Sequence, residues 1–162
     1  MLYHRPFLLI YPNIHYMDKE HLLFYCNQKH LYYKILHFNI GVTYDNISNK
    51  YHDESKHDLA FNYMNKAIVG YENAIKLDST YVDAYYNLGA LYYNQSITSK
   101  SVAGDYSGEK YDLEMKKADN MLKKAIPLLE KVLTFSLNDK STLKVLKSLY
   151  LSNQSNRPSL QF

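Results

Sequence analysis

The sequence predicts an all-α protein built from antiparallel helix pairs, and three observations support this prediction. Residues 36–46 and 84–94 align without a gap, so that FNIG at 38–41 corresponds to YNLG at 86–89. Apolar and small residues recur three and four positions apart, which is the period of a helix with one packed face. Only five Gly and four Pro occur in 162 residues, fewer than the turns of a β-sandwich or barrel would need. We expect five to six helices.

The composition is that of an ordinary globular domain with many tyrosines. Hydrophobic residues make up 46% and charged residues 22% of the chain, and its length suits one domain with a real core. The 18 Tyr fit amphipathic rings spaced along helices. The net charge of +3 comes from basic residues scattered among acids, so we expect no nucleic-acid partner. Cys26, the one cysteine, excludes an internal disulfide and is expected to be buried.

The two ends of the chain carry no periodic pattern. Residues 1–17 contain Pro6 and Pro12 and are expected to form an irregular arm, and residues 152–162 are expected to form a frayed tail. The apolar run at 7–11 is too short for a secretory signal, and no run approaches the length of a membrane span. We therefore expect a cytoplasmic protein without a membrane span.

Hydrophobic periodicity places the helices along the chain. Asp18 is the expected N-cap of a first short helix. The predicted helices cover residues 18–30, 31–47, 59–77, 82–95, 109–135 and 143–151. Pro127 lies inside the fifth and is expected to kink or break it. Residues 46–58 are polar and partly turn-like, and residues 96–107 are the clearest loop.

The aligned segments resemble the first helix of the tetratricopeptide repeat, a helix pair of about 34 residues. On this resemblance the chain is a short α-solenoid domain over residues 18–151, with repeat copies at about 31–79 and 80–137 and a closing helix at 139–151. The residues at the packing places of the motif are Ile40, Gly41, Tyr44, Ala67, Tyr71, Ala74, Tyr85, Leu88, Gly89, Tyr92, Ala125, Leu129, Val132 and Leu146. Gly and Ala there let paired helices approach closely, and aromatic rings fill the space around them.

The spacing of the repeat copies departs from the family. Ile40, Leu88 and Leu146 occupy equivalent places at steps of 48 and 58 residues, whereas the family period is about 34. The turn between successive repeats has one length in both copies, so the extra residues lie between the two helices of each pair. We therefore expect long insertions at residues 46–58 and 95–117, on one edge of the solenoid.

The same spacing applied backwards from Ile40 reaches Cys26, a small residue where the family has Ala. Leu23 occupies the preceding apolar place. Residues 18–30 are therefore either the second helix of a truncated repeat or a capping helix outside the repeats.

No motif in the sequence indicates catalysis. All seven His lie between His4 and His57, and the densest cluster, at residues 52–58, matches no zinc-binding template closely. We interpret this cluster as a solvated polar segment. The chain has neither a Gly-rich phosphate loop nor a Gly-x-Ser-x-Gly elbow. We expect no catalytic residue, no metal and no cofactor.

The resemblance implies a ligand-binding groove, because ligands of this family usually lie against the first helix of each pair. The residues implied to line it are Phe38, Asn39, Val42, Asp45, Asn46, Tyr86, Asn87, Ala90, Tyr93 and Asn94. A side-chain amide can both donate to and accept from a peptide backbone. The alternative is that Asn39 and Asn87 tie neighbouring helices together.

The resemblance therefore implies a non-catalytic protein–protein interaction module that binds a peptide or helix in its concave groove. A basic clamp for a C-terminal carboxylate is not expected, because its places hold Phe38, Ser141 and Val145. A Tyr- and Asn-lined surface suits a neutral or mixed peptide. The alternative function is a structural or assembly subunit within a larger repeat array or complex. RNA binding is disfavoured because the copies share no basic groove position.

Overall fold

The computed structural model describes residues 18–154, with side chains described up to Leu151. It consists of five helices: α1 Lys19–Asp53, α2 His57–Leu77, α3 Val82–Ala103, α4 Glu109–Phe135 and α5 Lys140–Gln154. The predicted all-α, repeat-like architecture is confirmed. The arm predicted at residues 1–17 lies outside the described residues. The predicted tail begins as the last turn of α5, and its remaining residues, 155–162, also lie outside them.

The helices form two antiparallel pairs followed by α5. α1 packs on α2 and α3 packs on α4, while α2 contacts α3 and α4 contacts α5 over shorter stretches. Each pair buries one face against its neighbour, so the pairs share one continuous core. The buried residues of this core are Met64, Ala67, Tyr71, Leu88, Leu91, Tyr92, Leu122, Ala125, Leu129, Leu146 and Leu149.

Most residues at the packing places of the repeat motif lie inside the structure. The buried ones are Gly41, Ala67, Tyr71, Ala74, Leu88, Gly89, Tyr92, Ala125, Leu129, Val132 and Leu146. Ile40, Tyr44 and Tyr85 are half-buried. Two of these three belong to α1, which, among the helices of residues 18–154, packs closely on α2 alone, whereas α3 packs on both α2 and α4.

The two aligned glycines lie where the helices of each pair cross. A Cβ atom on Gly41 would lie 2.6 Å from Cδ1 of Tyr71 in α2, and one on Gly89 would lie 2.8 Å from Cγ of Leu129 in α4. Gly70, which the motif did not single out, faces Gly41: a Cβ there would lie 2.6 Å from the Gly41 backbone nitrogen. The paired helices can approach this closely because these positions carry no side chain.

α1 is one continuous helix, which corrects the predictions for its N-terminal half. No boundary separates residues 18–30 from 31–47, so the former are neither a separate second helix of a repeat nor a separate capping helix. The Asp18 carboxylate caps α1 as predicted and accepts a hydrogen bond from the backbone N–H of His21 at 2.8 Å. Cys26 was expected to be buried and is exposed, because this half of α1 projects beyond the end of α2.

The long insertions are not confirmed, because the extra residues lengthen the helices. Only residues 54–56 separate α1 from α2, and only residues 104–108 separate α3 from α4. The loop predicted at 96–107 is therefore wrong up to residue 103. Serine is accommodated in this part of α3 because its hydroxyl can bond the preceding turn, as Ser96 does to the carbonyl of Tyr93 at 2.7 Å.

The last two helices correct one prediction and confirm another. Pro127 was predicted to kink or break α4; the helix continues through it, so the break is wrong. Pro127 is exposed, and its ring therefore lies away from the core. α5 begins after Asp139, whose carboxylate accepts a hydrogen bond from the backbone N–H of Thr142 at 2.9 Å, close to the predicted start of the closing helix at residue 139.

Candidate functional site

The ten residues implied to line the groove lie on α1 and α3, the first helices of the two pairs, which contact each other. Asn39, Asn46 and Asn94 are exposed. The half-buried residues are Phe38, Val42, Asp45, Tyr86, Asn87, Ala90 and Tyr93. The site thus combines accessible amides with apolar side chains that are partly covered by the protein itself.

Phe38 belongs to a group of side chains that fastens α1 to the turn between the pairs. Its ring lies 5.1 Å, between centroids, from the ring of Tyr81 in that turn. The Lys34 ammonium lies 4.9 Å from the centroid of the Tyr81 ring and forms an ion pair with Asp78. The hydrogen bond from Lys34, followed by those from Thr80, lowers the pKa of Asp78 to about 2. One face of Phe38 is therefore occupied by the protein's own side chains.

Asp45 links α1 to α2 as well as lining the groove. Its Oδ2 accepts a hydrogen bond from the hydroxyl of buried Tyr71 at 3.4 Å, and its Oδ1 accepts one from Asn49 at 3.2 Å. Burial raises the pKa of Asp45, and the bonds from Tyr71 and Asn49 oppose that rise. Burial, and then the charge of Asp45, raises the pKa of Tyr71. The sequence did not predict this contact, because the two residues are distant in the chain.

The aligned asparagines do not connect neighbouring helices. Nδ2 of Asn87 donates to the backbone carbonyl of Asp83, one turn earlier in the same helix, at 2.9 Å. The backbone carbonyl of Asn39 accepts the Thr43 hydroxyl at 2.8 Å, also within one helix. Within residues 18–154, no side-chain hydrogen bond joins Asn39 or Asn87 to another helix. The alternative in which they tie helices together is therefore not observed.

Exposed apolar side chains extend the groove faces beyond the residues that the sequence singled out. Ile97 follows Tyr93 by four positions on α3 and is 49% exposed. Phe24, Leu31 and Ile35 precede the groove residues of α1 at helical spacing and are also exposed. Their helical spacing could have placed them on the groove faces. The sequence analysis did not do so, because it predicted a helix boundary at residue 30 and a loop from residue 96.

A cleft of about 380 Å³ adjoins the groove where the paired helices are lengthened. Asn49 and His52 of α1, His57 of α2 and Asn94 of α3 contribute to its lining. The rings of His52 and His57 meet edge to face with centroids 5.8 Å apart. In the part of the chain from 18 to 154, no group of three or more His, Cys, Asp or Glu side chains is arranged to hold a metal ion. The cleft can offer hydrogen bonds from amides and imidazoles.

Comparison with known families locates the repeat within this architecture. A family model for the TPR repeat matches residues 63–96, from the first half of α2 to the middle of α3. The lengthened ends of both helix pairs lie outside the matched stretch. No curated protein and no solved structure is significantly similar to the chain.

The match also indicates a general class of function. The TPR family is generally non-catalytic, and its repeats indicate protein–protein interaction. None of the helices within residues 18–154 combines the length and the apolar character that crossing a bilayer requires. The paired helices and the matched stretch together show that the chain contains a tetratricopeptide-type repeat at residues 63–96.

Proposed function

We propose that this protein binds a peptide or helix of a partner protein in the groove formed by α1 and α3. One observation carries the proposal: on both helices, exposed asparagines stand beside half-buried aromatic rings. Asn39 is next to Phe38 on α1, with Asn46 about two turns further along, and Asn94 is next to Tyr93 on α3. The exposed amides can satisfy the backbone of an extended segment, and the rings can cover its side chains. The proposal assigns no catalytic role to these residues.

The partial burial of the aromatic rings favours binding. Phe38, Tyr86 and Tyr93 each pack against the buried core, so their rotamers are restrained before a ligand arrives. A ligand that contacts such side chains loses less conformational entropy than one that must order free side chains. Large aromatic side chains also supply much of the affinity in known interfaces. These properties support a groove that is largely pre-organised.

The charge of the groove limits the ligand class. Asp45 is the single charged residue among the ten, and its carboxylate already accepts hydrogen bonds from Tyr71 and Asn49. A highly charged peptide would therefore find few complementary charges there. We propose a neutral or mixed-charge segment as the ligand, with one of its polar side chains in the adjoining cleft.

Selection from a random peptide display library tests the proposal with a defined probe. Enriched peptides would be synthesised, and their affinity for the full chain would be measured by fluorescence anisotropy. The Tyr86→Ala/Asn87→Ala/Tyr93→Ala variant is expected to weaken binding by about tenfold or more, because it removes ring area and an amide from α3.

The matched control is Tyr111→Ala/Asn120→Ala, which alters an exposed Tyr and an exposed Asn on α4, a second helix of a pair. This control is expected to bind as the unchanged protein does. Equal affinities of all three proteins, or enrichment of peptides that bind the α3 variant as tightly as the parent, would overturn the groove proposal. Circular dichroism of each variant separates lost binding from lost folding.

A structural or assembly role is the second candidate, and the N-terminal half of α1 favours it. This half projects beyond α2, and its exposed Leu22 and Tyr33 lie on the side of α1 away from the groove residues. The two candidates involve different residues, so variants can separate them.

We also propose a cytoplasmic location, which rests on the sequence alone. Fractionation of the source cells, followed by immunoblotting of the full chain, measures it. Recovery in the soluble cytosolic fraction is expected, and recovery in a secreted or membrane fraction would contradict the proposal.

A further inference from the structure

The cleft beside the groove is built largely by the stretches in which both helix pairs exceed the family period. α1 and α2 contribute Ser48, His52 and Asp58 to its lining, and α3 and α4 contribute Ser99 and Glu114. All five lie outside the stretch at 63–96 that matches the repeat family. The volume of about 380 Å³ is near the lower end of the range for small-molecule pockets, so the cleft suits one side chain rather than a length of peptide.

One polar side chain in the wall of the cleft is almost fully buried and has no hydrogen-bond partner. Ser99 is 5% exposed, and within residues 18–154 its hydroxyl forms no hydrogen bond. In contrast, Ser96 one turn earlier donates to the carbonyl of Tyr93, and Ser48 donates to the carbonyl of Ala60, both at 2.7 Å. A buried hydroxyl is costly without a partner. A ligand that displaces water from Ser99 must therefore supply a polar atom in its place.

The charged side chains that line the cleft are both negative. They are Asp58 and Glu114, and no Lys or Arg among residues 18–154 lines it. The Glu114 side chain is 18% exposed, and its Oε1 accepts a hydrogen bond from Lys117 at 2.6 Å, which leaves Oε2 for a ligand. In the described part of the chain, the Asp58 carboxylate has no ion-pair partner. The imidazoles of His52 and His57 carry no charge in their neutral form.

The inner wall of the cleft is apolar, because it includes the buried side chains of Met64 and Leu91. Lys and Arg side chains lay an aliphatic stem along apolar surface and keep the charged end among polar groups. An apolar wall beside two carboxylates and an unpaired hydroxyl therefore matches both parts of such a side chain.

We propose that the cleft binds a basic side chain, the guanidinium of Arg or the ammonium of Lys, carried by the peptide that lies in the groove. The identity of the carrier rests on the proposed function: Asn94 is one of the ten groove residues and also lines the cleft. Both cations only donate hydrogen bonds, and Asp58, Glu114 and Ser99 supply oxygen acceptors. An acidic side chain would instead meet two like charges.

Single amino-acid derivatives test the cleft without a groove peptide. Nα-acetyl-arginine amide and Nα-acetyl-citrulline amide have nearly the same shape and differ in charge. Each would be titrated into the isotope-labelled full chain and followed by NMR at the backbone amides of Gln95 and Ser99 and the side-chain carboxyl carbon of Glu114. The arginine derivative is expected to bind about tenfold more tightly than the citrulline derivative. Nα-acetyl-lysine amide shows which of the two cations the cleft prefers.

Variants of the cleft test the assigned contacts. Glu114→Gln is expected to weaken the arginine derivative about tenfold and to leave the citrulline derivative unchanged, because it removes charge and keeps shape. Ser99→Ala is expected to weaken both derivatives about fivefold, because both can donate to the hydroxyl. The matched control is Asp112→Asn, which removes an exposed carboxylate two residues before Glu114, on another side of α4, and is expected to change binding less than about twofold. Circular dichroism of each variant excludes unfolding as the cause.

Equal affinities of the arginine and citrulline derivatives, or an arginine affinity that Glu114→Gln leaves unchanged, would overturn the inference. The peptides from the display selection separate this inference from the proposed function. Groove-dependent peptides are expected to carry Arg or Lys at one fixed position, and groove-dependent peptides without one would overturn the inference alone. Binding of the arginine derivative in the cleft, with no peptide that depends on the groove, would support the cleft site and overturn the groove proposal.

Discussion

The backbones of Gly41 in α1 and Gly70 in α2 are so close that a Cβ on Gly70 would lie 2.7 Å from the Gly41 Cα. This contact is between two main chains, and neither can move without displacing its whole helix. The closest atom to a Cβ on Gly89, in contrast, belongs to the side chain of Leu129. At its closest approach, α1 therefore contacts α2 backbone to backbone, whereas the Gly89 backbone of α3 contacts a side chain of α4.

This difference predicts an order of stability losses for Gly→Ala substitutions. Gly70→Ala is expected to destabilise most, by about 3 kcal/mol, because the new methyl meets backbone atoms. Gly41→Ala meets the ring of fully buried Tyr71 and is expected to cost about 2 kcal/mol. Gly89→Ala is expected to cost least, about 1 kcal/mol, because only the side chain of Leu129 must shift and Ala favours the helix over Gly. Urea unfolding measures the order, and an equal or reversed order would contradict it.

The ion pair between Lys34 and Asp78 predicts a pH-dependent contribution to stability. The pKa of Asp78 is about 2 in the folded protein against an ordinary value of 3.8, so its ionised form favours the folded state. This contribution is present above pH 3.8 and is lost as the pH falls through about 2. Asp78→Asn is expected to cost about 0.5–1 kcal/mol at pH 7, because the pair is partly solvated.

Urea unfolding of the parent and Asp78→Asn between pH 2 and 7 measures this contribution. The difference in unfolding free energy between the two proteins is expected to shrink to near zero at the acid end. Asp105→Asn, which removes an exposed carboxylate in the turn between α3 and α4, serves as the control and is expected to show a smaller difference at pH 7. A difference in unfolding free energy between the parent and Asp78→Asn that stays constant with pH would contradict the ion pair.

The contact between Asp45 and Tyr71 predicts a change in one pKa. Tyr71→Phe removes the hydroxyl that donates to the carboxylate, while burial of Asp45 remains. The pKa of Asp45 is therefore expected to rise further above its ordinary value, because a hydrogen bond that stabilised the ionised form is lost. Carbon-13 NMR titration of the Asp45 carboxyl measures it. An unchanged or lower pKa would show that the hydroxyl does not bond Asp45 in solution.

The close packing of the pairs was predictable from the sequence, whereas the helix lengths were not. Small residues at fixed spacing indicate where two helices approach, and Gly41 and Gly89 do lie at those places. The stretch at 96–103 was predicted as a loop from its serines. It is helical because it contains no Gly or Pro and its serine hydroxyls can bond the turn before them. Ser96, Ser99 and Ala103 are also buried there, and this packing cannot be read from local composition.

The groove faces were predictable in part, for a related reason. Helical period places Asn39 and Asn87 on equivalent faces of α1 and α3. The contacts that hold α1, from Lys34 to Asp78 and from Tyr71 to Asp45, join residues far apart in the chain. No local pattern encodes such pairs, so only the packed structure identifies them. They account for the partial burial of Phe38 and Asp45, which the repeat motif alone does not specify.

Binding of a peptide along α1 and α3 is the central claim, and NMR chemical-shift mapping tests it most directly. The measurement would use the isotope-labelled full chain and the tightest peptide from the display selection. The predicted result is a continuous set of shifted amides at residues 38–49 and 86–98, with those of α4 at residues 109–120 unchanged. Shifts concentrated on α4, or spread evenly over all five helices, would contradict the claim.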